Sequence, residues 1–213
     1  DMDEHLRRPP HSGERVGIVF VESMGPLHPD FAVLDIQTFL TPEKWFTFVR
    51  QQIALIERQL GESVVVALHP RGTAEEMHRW YRPYPLSTER IQNLIANAEL
   101  VVAAEPSTAL GLCALYDTPL WLLDAPELYP DHKLQMESYS RTLGVPCERI
   151  NGSVMRASGH LPPEDRVKFL REYVVAPGSQ GRPFWEIVAE DIQMANSVMT
   201  SDVSEQKPQK PDR

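Results

Sequence analysis

Short runs of β-branched and other apolar residues alternate with longer helix-like stretches through the first half of the chain. These runs occupy residues 15–22, 63–68, 100–104 and 119–123. Each is nearly continuous rather than alternating, which is typical of strands buried on both faces. Strands that alternate with helices need crossover connections, and right-handed crossovers build a parallel sheet with helices on both faces. We therefore predict an α/β, Rossmann-like doubly wound parallel sheet with C-terminal helices.

Capping signals mark the helices between these strands. The clearest begins at the Thr-Pro-Glu sequence 41–43, runs to Leu60 with apolar residues at helical spacing, and ends at Gly61. The remaining predicted elements are a helix capped by Ser87, a short helix opened by Ser107, a helix over 131–143, a short strand at 149–151, and helices from Pro162 and Pro183.

The length of 213 residues fits one domain of ordinary size or two very small ones. We interpret residues 1–14 as a linker or disordered segment and residues 15–198 as one Rossmann-like domain. Residues 199–213 are rich in Ser, Gln, Lys, Pro and Asp, which predicts a disordered tail. Because the sequence opens with Asp1 rather than Met, we expect that a preceding segment has been removed.

The net charge of the chain disfavours one class of binding partner, the nucleic acids. Asp and Glu number 30 against 21 Lys and Arg, which gives a net charge of -9 with no basic block, so a nucleic-acid partner is disfavoured. No apolar stretch approaches the ~20 residues of a membrane span, so no transmembrane segment is expected, and the N-terminus is too polar for a signal peptide. We expect a cytoplasmic protein, either free or peripheral to the inner membrane. Its two cysteines, Cys113 and Cys147, are interpreted as buried thiols in a reducing compartment.

Ligands of open parallel sheets bind at the carboxyl ends of the strands, near the point where strand order reverses. Polar residues gather at these positions in the present sequence, while the strands themselves are apolar. The segment 22–40 is longer than the usual connection in such a sheet, which makes it a candidate functional loop. The polar residues that follow the four strands in turn are Glu22, Ser23, His28 and Asp30; His69 and Arg71; Glu105, Ser107 and Thr108; and Asp124 and Glu127.

The turn His69-Pro70-Arg71-Gly72 is the sharpest of these signals. A histidine and an arginine at a strand end both donate hydrogen bonds to phosphate oxygens, and the arginine does so with two parallel donors. The turn therefore indicates anion binding. The alternative is a charged turn whose histidine packs against the sheet.

The sequence Glu105-Pro106-Ser107-Thr108 joins a predicted strand to a predicted helix. Hydroxyls and unpaired backbone amides at a helix N-terminus suit a phosphate. The alternative is that Ser107 only caps its helix. The phosphate interpretation is favoured because two loops with donors for an anion follow neighbouring strands. An acidic chain has no other evident reason to gather such donors at one edge.

Other motifs are absent or weak. The sequence has no G-x-G-x-x-G, no G-x-x-x-x-G-K-[ST] and no G-x-S-x-G, which excludes their usual dinucleotide, P-loop and nucleophile-elbow sites. His28 and Asp30 are placed to meet His69 across neighbouring strand ends, yet a zinc site is disfavoured and no metal is expected. The aromatic residues Trp80, Tyr81 and Tyr84, with the arginines beside them, are typical of base stacking, but a packed, proline-bent loop is the favoured interpretation.

Four short motifs follow one another in a distinctive order and spacing. They are His28-Pro29-Asp30-Phe31, the stretch 64–71 reading Val-Val-Val-Ala-Leu-His-Pro-Arg, Pro106-Ser107-Thr108-Ala109-Leu110, and Thr118-Pro119-Leu120. Together they resemble the C-terminal half of GT-B glycosyltransferases of bacterial surface carbohydrate biosynthesis. The resemblance covers roughly residues 15–123 and is strongest to the capsule, sialyl and Kdo transferases, which use CMP-sugars.

The resemblance implies roles for individual residues. It places His69 on the phosphate of a nucleotide, with Ser107 and Thr108 holding the same phosphate. Glu105 or the backbone around Pro70 would then meet the base or ribose. The acceptor site and general base of such enzymes usually lie in an N-terminal domain. Because no second sheet is predicted in this sequence, a separate N-terminal domain is an expected partner.

Two acids of this chain are candidate substitutes for that base, Glu22 and Asp30. On this basis we expect a metal-independent glycosyltransferase donor domain that takes a nucleotide sugar, most simply a CMP-linked one, as substrate and needs no cofactor. Its departing phosphate would be stabilised by hydrogen bonds and charge. The other partner would be a carbohydrate acceptor.

Two alternatives stay open. A nucleotide-sugar 2-epimerase would also need phosphate donors at the strand ends, together with acid and base carboxylates facing the sugar. A non-catalytic nucleotide-binding subunit would need the donors alone.

Overall fold

The computed structural model describes residues 15–150 and 159–174. Their centre is a six-stranded sheet in which every neighbouring pair of strands is parallel. The spatial order is β3-β2-β1-β4-β5-β6, so the predicted doubly wound α/β fold is confirmed. The strands are β1 (Val16–Val21), β2 (Val64–Ala67), β3 (Leu86–Ser87), β4 (Ala98–Ala103), β5 (Leu120–Leu123) and β6 (Cys147–Glu148).

Helices connect the strands. The long connection after β1 contains a short 3-10 helix, Gly25–Leu27, before the first α-helix. Residues Leu170–Val174 continue the last helix as a π-helical turn. The α-helices are α1 (Pro29–Val33), α2 (Pro42–Leu60), α3 (Ala74–Tyr81), α4 (Ile91–Asn97), α5 (Leu110–Tyr116), α6 (His132–Leu143) and α7 (Pro163–Phe169).

The helix α2 shows how the sequence sets these elements. Pro42 is its first residue, and Gly61 ends it in the left-handed conformation with φ of 72°. One face is buried because its apolar residues recur at helical spacing, while the opposite face is polar. The buried residues are Trp45, Phe46, Val49, Gln52, Ile53 and Ile56.

The core lies on the sheet. β1 is the central strand, paired with β2 from Ile18 to Val21 and with β4 from Val16 to Val21. The strand interiors are almost completely buried, as expected of parallel strands covered by helices on both faces. Burial of this kind contributes about 25 cal/mol for each Å² of apolar surface removed from water, so the strands and the helix faces packed on them together stabilise the fold.

The chain reverses its direction of winding between β1 and β4. β2 and β3 lie on one side of β1, whereas β4, β5 and β6 lie on the other. The connections that leave β1 and β4 therefore diverge at the carboxyl ends of these two strands, which is the position where ligands of doubly wound sheets usually bind. The long connection after β1 and the residues after β4 flank this position.

Several local predictions were wrong. Ser87 belongs to β3 rather than capping a helix, and Arg90 occupies the cap position of α4. The strand expected at 149–151 lies two residues earlier, as β6, because Cys147 and Glu148 pair with Leu122 and Leu123.

Trp80 and Tyr81 lie in α3 rather than in a loop. A cis peptide bond joins Arg82 and Pro83 just after that helix.

Ser107 does not open its helix either, since α5 begins at Leu110 with Ala109 at the cap position. The remaining predicted boundaries within the described part hold to within one or two residues. The proposed linker 1–14, the helix from Pro183 and the tail 199–213 fall outside the described residues. Of the helices in the described part, none combines the length and apolar character that a membrane span requires.

Candidate functional site

Two imidazole rings meet at the carboxyl edge of the sheet. His28 comes from the connection after β1 and His69 from the turn after β2, and their ring centroids are 5.0 Å apart in an edge-to-face arrangement. Both rings are partly exposed. The expected meeting of His28 with His69 across neighbouring strand ends is therefore confirmed.

Backbone contacts fix how each ring can donate. The Nδ1 of His69 accepts a hydrogen bond from the Arg71 N–H at 3.2 Å, and the Nδ1 of His28 accepts one from the Asp30 N–H at 3.2 Å. A neutral imidazole whose Nδ1 accepts carries its proton on Nε2. Each ring therefore has Nε2–H as its donor for a further partner.

The ring of His69 favours its neutral form. Partial burial lowers the pKa of His69, and the nearby His28 and Arg71 lower it further, while Asp30 acts in the opposite direction. At neutral pH, His69 is thus a hydrogen-bond donor more than a cation.

Arg71 supplies the positive charge of this cluster. Its guanidinium contacts the carboxylate of Asp30 through Nη1, and both side chains are about half exposed. The His69 carbonyl accepts a hydrogen bond from Gly72 N–H at 2.9 Å, which closes a tight turn over 69–72 with Pro70 exposed. The turn therefore presents Arg71 beside His69 at the sheet edge.

Glu22 lies beneath these groups and is 2% exposed. Its carboxylate accepts hydrogen bonds from the N–H of Met24, from the N–H of His69 at 3.3 Å and from the Tyr81 hydroxyl. Burial raises the pKa of Glu22 to about 7, and these donors act in the opposite direction. The side chain predicted as a general base thus joins the ends of β1 and β2.

Glu105 is the counterpart of Glu22 at the end of β4. It is 6% exposed and accepts hydrogen bonds from the Ser23 hydroxyl and the Gly25 N–H. Burial, with a smaller contribution from the charge of Glu22, raises the pKa of Glu105 to about 8. The two acids therefore tie the connection after β1 to both neighbouring strands.

Gly25 allows this connection to pass close to α2. Its φ is 49°, and a Cβ atom there would lie 2.3 Å from Nε1 of Trp45. A side chain at this position would collide with the buried indole.

The second predicted phosphate loop has less helical character than expected. The Ser107 hydroxyl accepts a hydrogen bond from the Ala109 N–H at 3.2 Å, and Thr108 is exposed. Because α5 has only seven residues and starts after Ser107 and Thr108, its dipole would give little electrostatic stabilisation to a phosphate bound at these two residues. The expectation that the two phosphate loops follow neighbouring strands was wrong, because β1 lies between β2 and β4 and strand spacing places their ends about 10 Å apart.

A run of aromatic rings at the same edge was not assigned a role from the sequence. Phe31 lies 6.0 Å from His28 and 5.2 Å from Tyr129, and Tyr129 lies 5.1 Å from His132. Phe31 stood in the His-Pro-Asp-Phe motif, but Tyr129 lies almost 100 positions away, so only the fold brings them together.

His132 connects the residues that follow β4 and β5. It is fully buried, with Nδ1 accepting from Leu128 N–H at 3.3 Å and Nε2 lying 3.0 Å from the Ala104 carbonyl oxygen. Since Nδ1 accepts, Nε2 carries the proton and donates to Ala104. Burial lowers the pKa of His132, so the bridging ring is neutral.

The residues after β5 form a separate feature. Asp124 pairs with Lys133 at 3.8 Å and with Arg149 at 3.9 Å, and it lines a cavity of about 320 Å³ that Cys147 also lines. Glu127 is exposed. Asp124 and Glu127 take no part in the hydrogen bonds and ring contacts described above for Glu22, Glu105, His28 and His69.

Both cysteines are free, with Cys113 buried and Cys147 partly exposed rather than fully buried as predicted. Burial raises the pKa of Cys147 to about 11, so its thiol is protonated at neutral pH. Within residues 15–150 and 159–174, no group of three or more His, Cys, Asp or Glu residues is arranged to hold a metal ion.

No protein-family model and no curated protein matches this sequence. Among solved structures, one similar chain is from Thermosulfurimonas dismutans and is described as KpsC, beta Kdo 2,7 transferase. The two share 14% sequence identity with a TM-score of 0.41, and the likeness covers 91% of this chain. It covers 59% of the other, so this chain spans less than two thirds of the length of that protein.

Proposed function

We propose that the carboxyl edge of the sheet binds the phosphate of a nucleotide sugar and that the chain is the donor domain of a glycosyltransferase. The observation that carries this proposal is the pair of imidazoles, His28 and His69, 5.0 Å apart with both Nδ1 atoms occupied by backbone donors. Two Nε2–H groups beside Arg71 are a suitable donor set for a phosphate oxyanion. The glycosyltransferase part of the proposal rests on the motif order in the sequence.

The chemistry follows from charge development. When an acceptor hydroxyl attacks the anomeric carbon, the bond to the nucleotide phosphate breaks and the phosphate takes up the electron pair. Hydrogen bonds from His69 and the guanidinium of Arg71 would stabilise that negative charge. Because burial lowers the pKa of His69, its ring can donate this hydrogen bond while it is neutral.

Ser107 and Thr108 are proposed as the opposite wall of the phosphate site. The exposed Thr108 hydroxyl is available to an incoming phosphate, whereas Ser107 also accepts the Ala109 N–H. Glu105, or the backbone around Pro70, is proposed to meet the ribose or base. A CMP-linked sugar is the simplest donor under this proposal.

Asp30 suits the part of general base better than Glu22 does. Three donors already occupy the Glu22 carboxylate, and the group is buried. Asp30 is half exposed but pairs with Arg71, so that pair must loosen before the carboxylate can take a proton.

Because Glu22 and Asp30 are both engaged by other groups, a second candidate function is a non-catalytic nucleotide-binding subunit. Such a subunit would use the same imidazoles without any base. Measuring hydrolysis or transfer of a CMP-sugar by the purified chain separates it from the enzyme, because a subunit binds the nucleotide and leaves the sugar attached.

Thermal unfolding of the purified chain with CMP, CDP, UDP and cytidine tests the binding site. A ligand at 100 times its Kd stabilises the folded state by about 2.7 kcal/mol. For a chain of this size that raises Tm by roughly 5–10 °C. We expect a rise with CMP and none with cytidine, which lacks the phosphate.

His69→Ala is the matching variant, and we expect it to remove most of the CMP-dependent rise. His160→Ala is the control, because His160 is exposed and lies at the amino edge of the sheet, opposite the proposed site. The preceding residue, Gly159, accepts a hydrogen bond there from the N–H of Leu120, the first residue of β5. No rise with any of the nucleotides, or equal rises in both variants, would overturn the proposed site.

A further inference from the structure

We propose that Phe31 and Tyr129 form a stacking platform for the nucleobase, an inference that rests on the proposed nucleotide site. The platform is defined by these two rings, whose centroids are 5.2 Å apart and whose planes are tilted by 51°, so that a base lying flat on one ring meets the other ring at its edge. It extends the imidazole pair, because Phe31 lies 6.0 Å from His28. The phosphate donors and the aromatic surface are thus neighbouring parts of one edge.

The order of the rings matches the parts of a nucleotide. From His69 the succession passes through His28 to Phe31 and then Tyr129 in steps of 5.0, 6.0 and 5.2 Å. A nucleoside monophosphate carries an anion at one end and a flat aromatic base at the other, with one ribose between them. A phosphate at the imidazoles would place the base over the platform.

Both platform rings are held by their surroundings. Phe31 lies in α1, where its N–H donates to the His28 carbonyl at 3.1 Å and its own carbonyl accepts from Ile36 N–H at 2.8 Å. Tyr129 follows Leu128, whose carbonyl accepts the Phe39 N–H at 2.7 Å. These bonds join the two segments that supply the rings.

Each ring is half-buried, with its inner side packed on the hydrophobic core and part of its surface exposed. Such rings lose little side-chain freedom when a ligand arrives, because packing already restricts them.

The platform is electrically neutral. Burial and, to a smaller extent, the nearby Glu105 raise the pKa of Tyr129 to about 12, so the phenol stays protonated at neutral pH. Its hydroxyl lies 3.4 Å from Oε1 of Gln135. A neutral phenol and a phenyl ring stack on a base without repelling the adjoining phosphate.

Calorimetric titration of Phe31→Leu and Tyr129→Leu with CMP and with ribose 5-phosphate tests this inference. Stacking of one base on one aromatic side chain is worth about 1–3 kcal/mol. We therefore expect the Kd for CMP to rise about tenfold in each variant. The Kd for ribose 5-phosphate, which has no base, should stay within twofold of the unsubstituted chain.

Two further variants separate stacking from damage to the fold. Tyr129→Phe keeps the ring and should keep the affinity for CMP. Tyr84→Leu removes a half-buried ring that lies before β3, at the opposite edge of the sheet, and should leave both affinities unchanged. Urea unfolding of each variant identifies any that no longer folds. If a leucine variant does not fold, Tyr129→Phe and Phe31→Tyr replace it, and each of them should bind CMP as tightly as the unsubstituted chain because each keeps an aromatic ring.

The outcomes distinguish this inference from the proposed function. If the unsubstituted chain binds neither CMP nor ribose 5-phosphate, the nucleotide site itself is wrong. If it binds CMP while both leucine variants bind it equally well, the site survives and the platform is overturned. Equal losses for CMP and ribose 5-phosphate would also overturn the platform, because the rings would then contact the sugar.

Discussion

The Oε2 atom of Glu22 accepts a hydrogen bond from the backbone N–H of His69 at 3.3 Å, across 47 positions of the sequence. Since Glu22 follows β1 and His69 follows β2, this contact aligns two neighbouring strand ends. The backbone position of His69 is therefore held by a carboxylate that is almost completely buried.

Replacing Glu22 by alanine should destabilise the fold. The N–H of Met24, the N–H of His69 and the Tyr81 hydroxyl would lose their acceptor. Buried donors without a partner cost about 1–3 kcal/mol each. Because Met24 and Tyr81 are buried, we expect a loss of about 2–6 kcal/mol in the free energy of unfolding, measured in urea.

Glu22→Gln retains one acceptor and should lose less than half as much. Glu89→Ala, at an exposed position, is the surface control and should stay within about 0.5 kcal/mol. Equal stability of Glu22→Ala and Glu89→Ala would contradict the joining role of the carboxylate.

The two buried acids predict how stability depends on pH. Burial raises the pKa of Glu22 to about 7 and that of Glu105 to about 8, against an ordinary value of 4.5. Between pH 4.5 and these values the folded state keeps protons that the unfolded chain has released. Stability from these groups is therefore complete below pH 4.5 and is lost as pH rises to about 8, at up to about 1.4 kcal/mol per pH unit for each group.

Two histidines act in the opposite direction, because burial lowers the pKa of His69 and His132 and so raises stability with pH near their ordinary value of 6.5. The comparison of the unsubstituted chain with Glu105→Gln isolates the acid. Urea unfolding from pH 5 to pH 8.5 should show a smaller decline for Glu105→Gln. Parallel curves for the two proteins would show that Glu105 ionises normally.

Gly25→Ala should destabilise the connection after β1. The added Cβ would lie 2.3 Å from Nε1 of Trp45, and the residue would also need a φ of 49°. Together, steric overlap and the left-handed backbone are expected to cost about 2–4 kcal/mol.

Gly61→Ala separates these two effects. Its φ is 72°, but a Cβ there would meet nothing within 4 Å, so we expect a loss of about 1 kcal/mol. Thermal unfolding of both variants is the measurement. A loss in Gly25→Ala no larger than in Gly61→Ala would mean that the Trp45 contact relaxes freely.

The double substitution Ser107→Ala/Thr108→Ala should weaken CMP binding more than it lowers stability. The Ser107 hydroxyl accepts one backbone N–H, and Thr108 is exposed, so the stability loss should stay near 1 kcal/mol. Calorimetric titration with CMP should show at least a tenfold rise in Kd. Unchanged affinity would remove both hydroxyls from the proposed phosphate site.

The sheet was predictable because its strands are continuous apolar runs, and the helix 42–60 because proline and glycine mark its ends. The helix α3 was missed since only Met77 and Tyr81 of it are fully buried. A signal was nonetheless present, because Thr73 and Glu76 form a capping box in which each side chain bonds to the backbone of the other. β3 and β6, with two residues each, are too short to leave a periodic pattern.

The contents of the candidate site were partly predictable. Acids and histidines directly after buried strands could be recognised, since parallel strands bring their carboxyl ends together. The sequence could not show that Glu22 and Glu105 are buried, because that depends on how the connection 22–40 folds over the sheet edge. Nor could it pair Phe31 with Tyr129, which lie on segments far apart in the chain.

β1 and β4 are side by side in space, yet β2 and β3 separate them in the chain. A polypeptide that ends before residue 98 already carries Glu22, His28 and His69 but lacks β4, the strand that pairs with β1 on the other side. The residues after β1 and those after β4 therefore become neighbours only when the later half of the protein pairs with the earlier half. A ligand that contacts both sets of residues would stabilise this pairing.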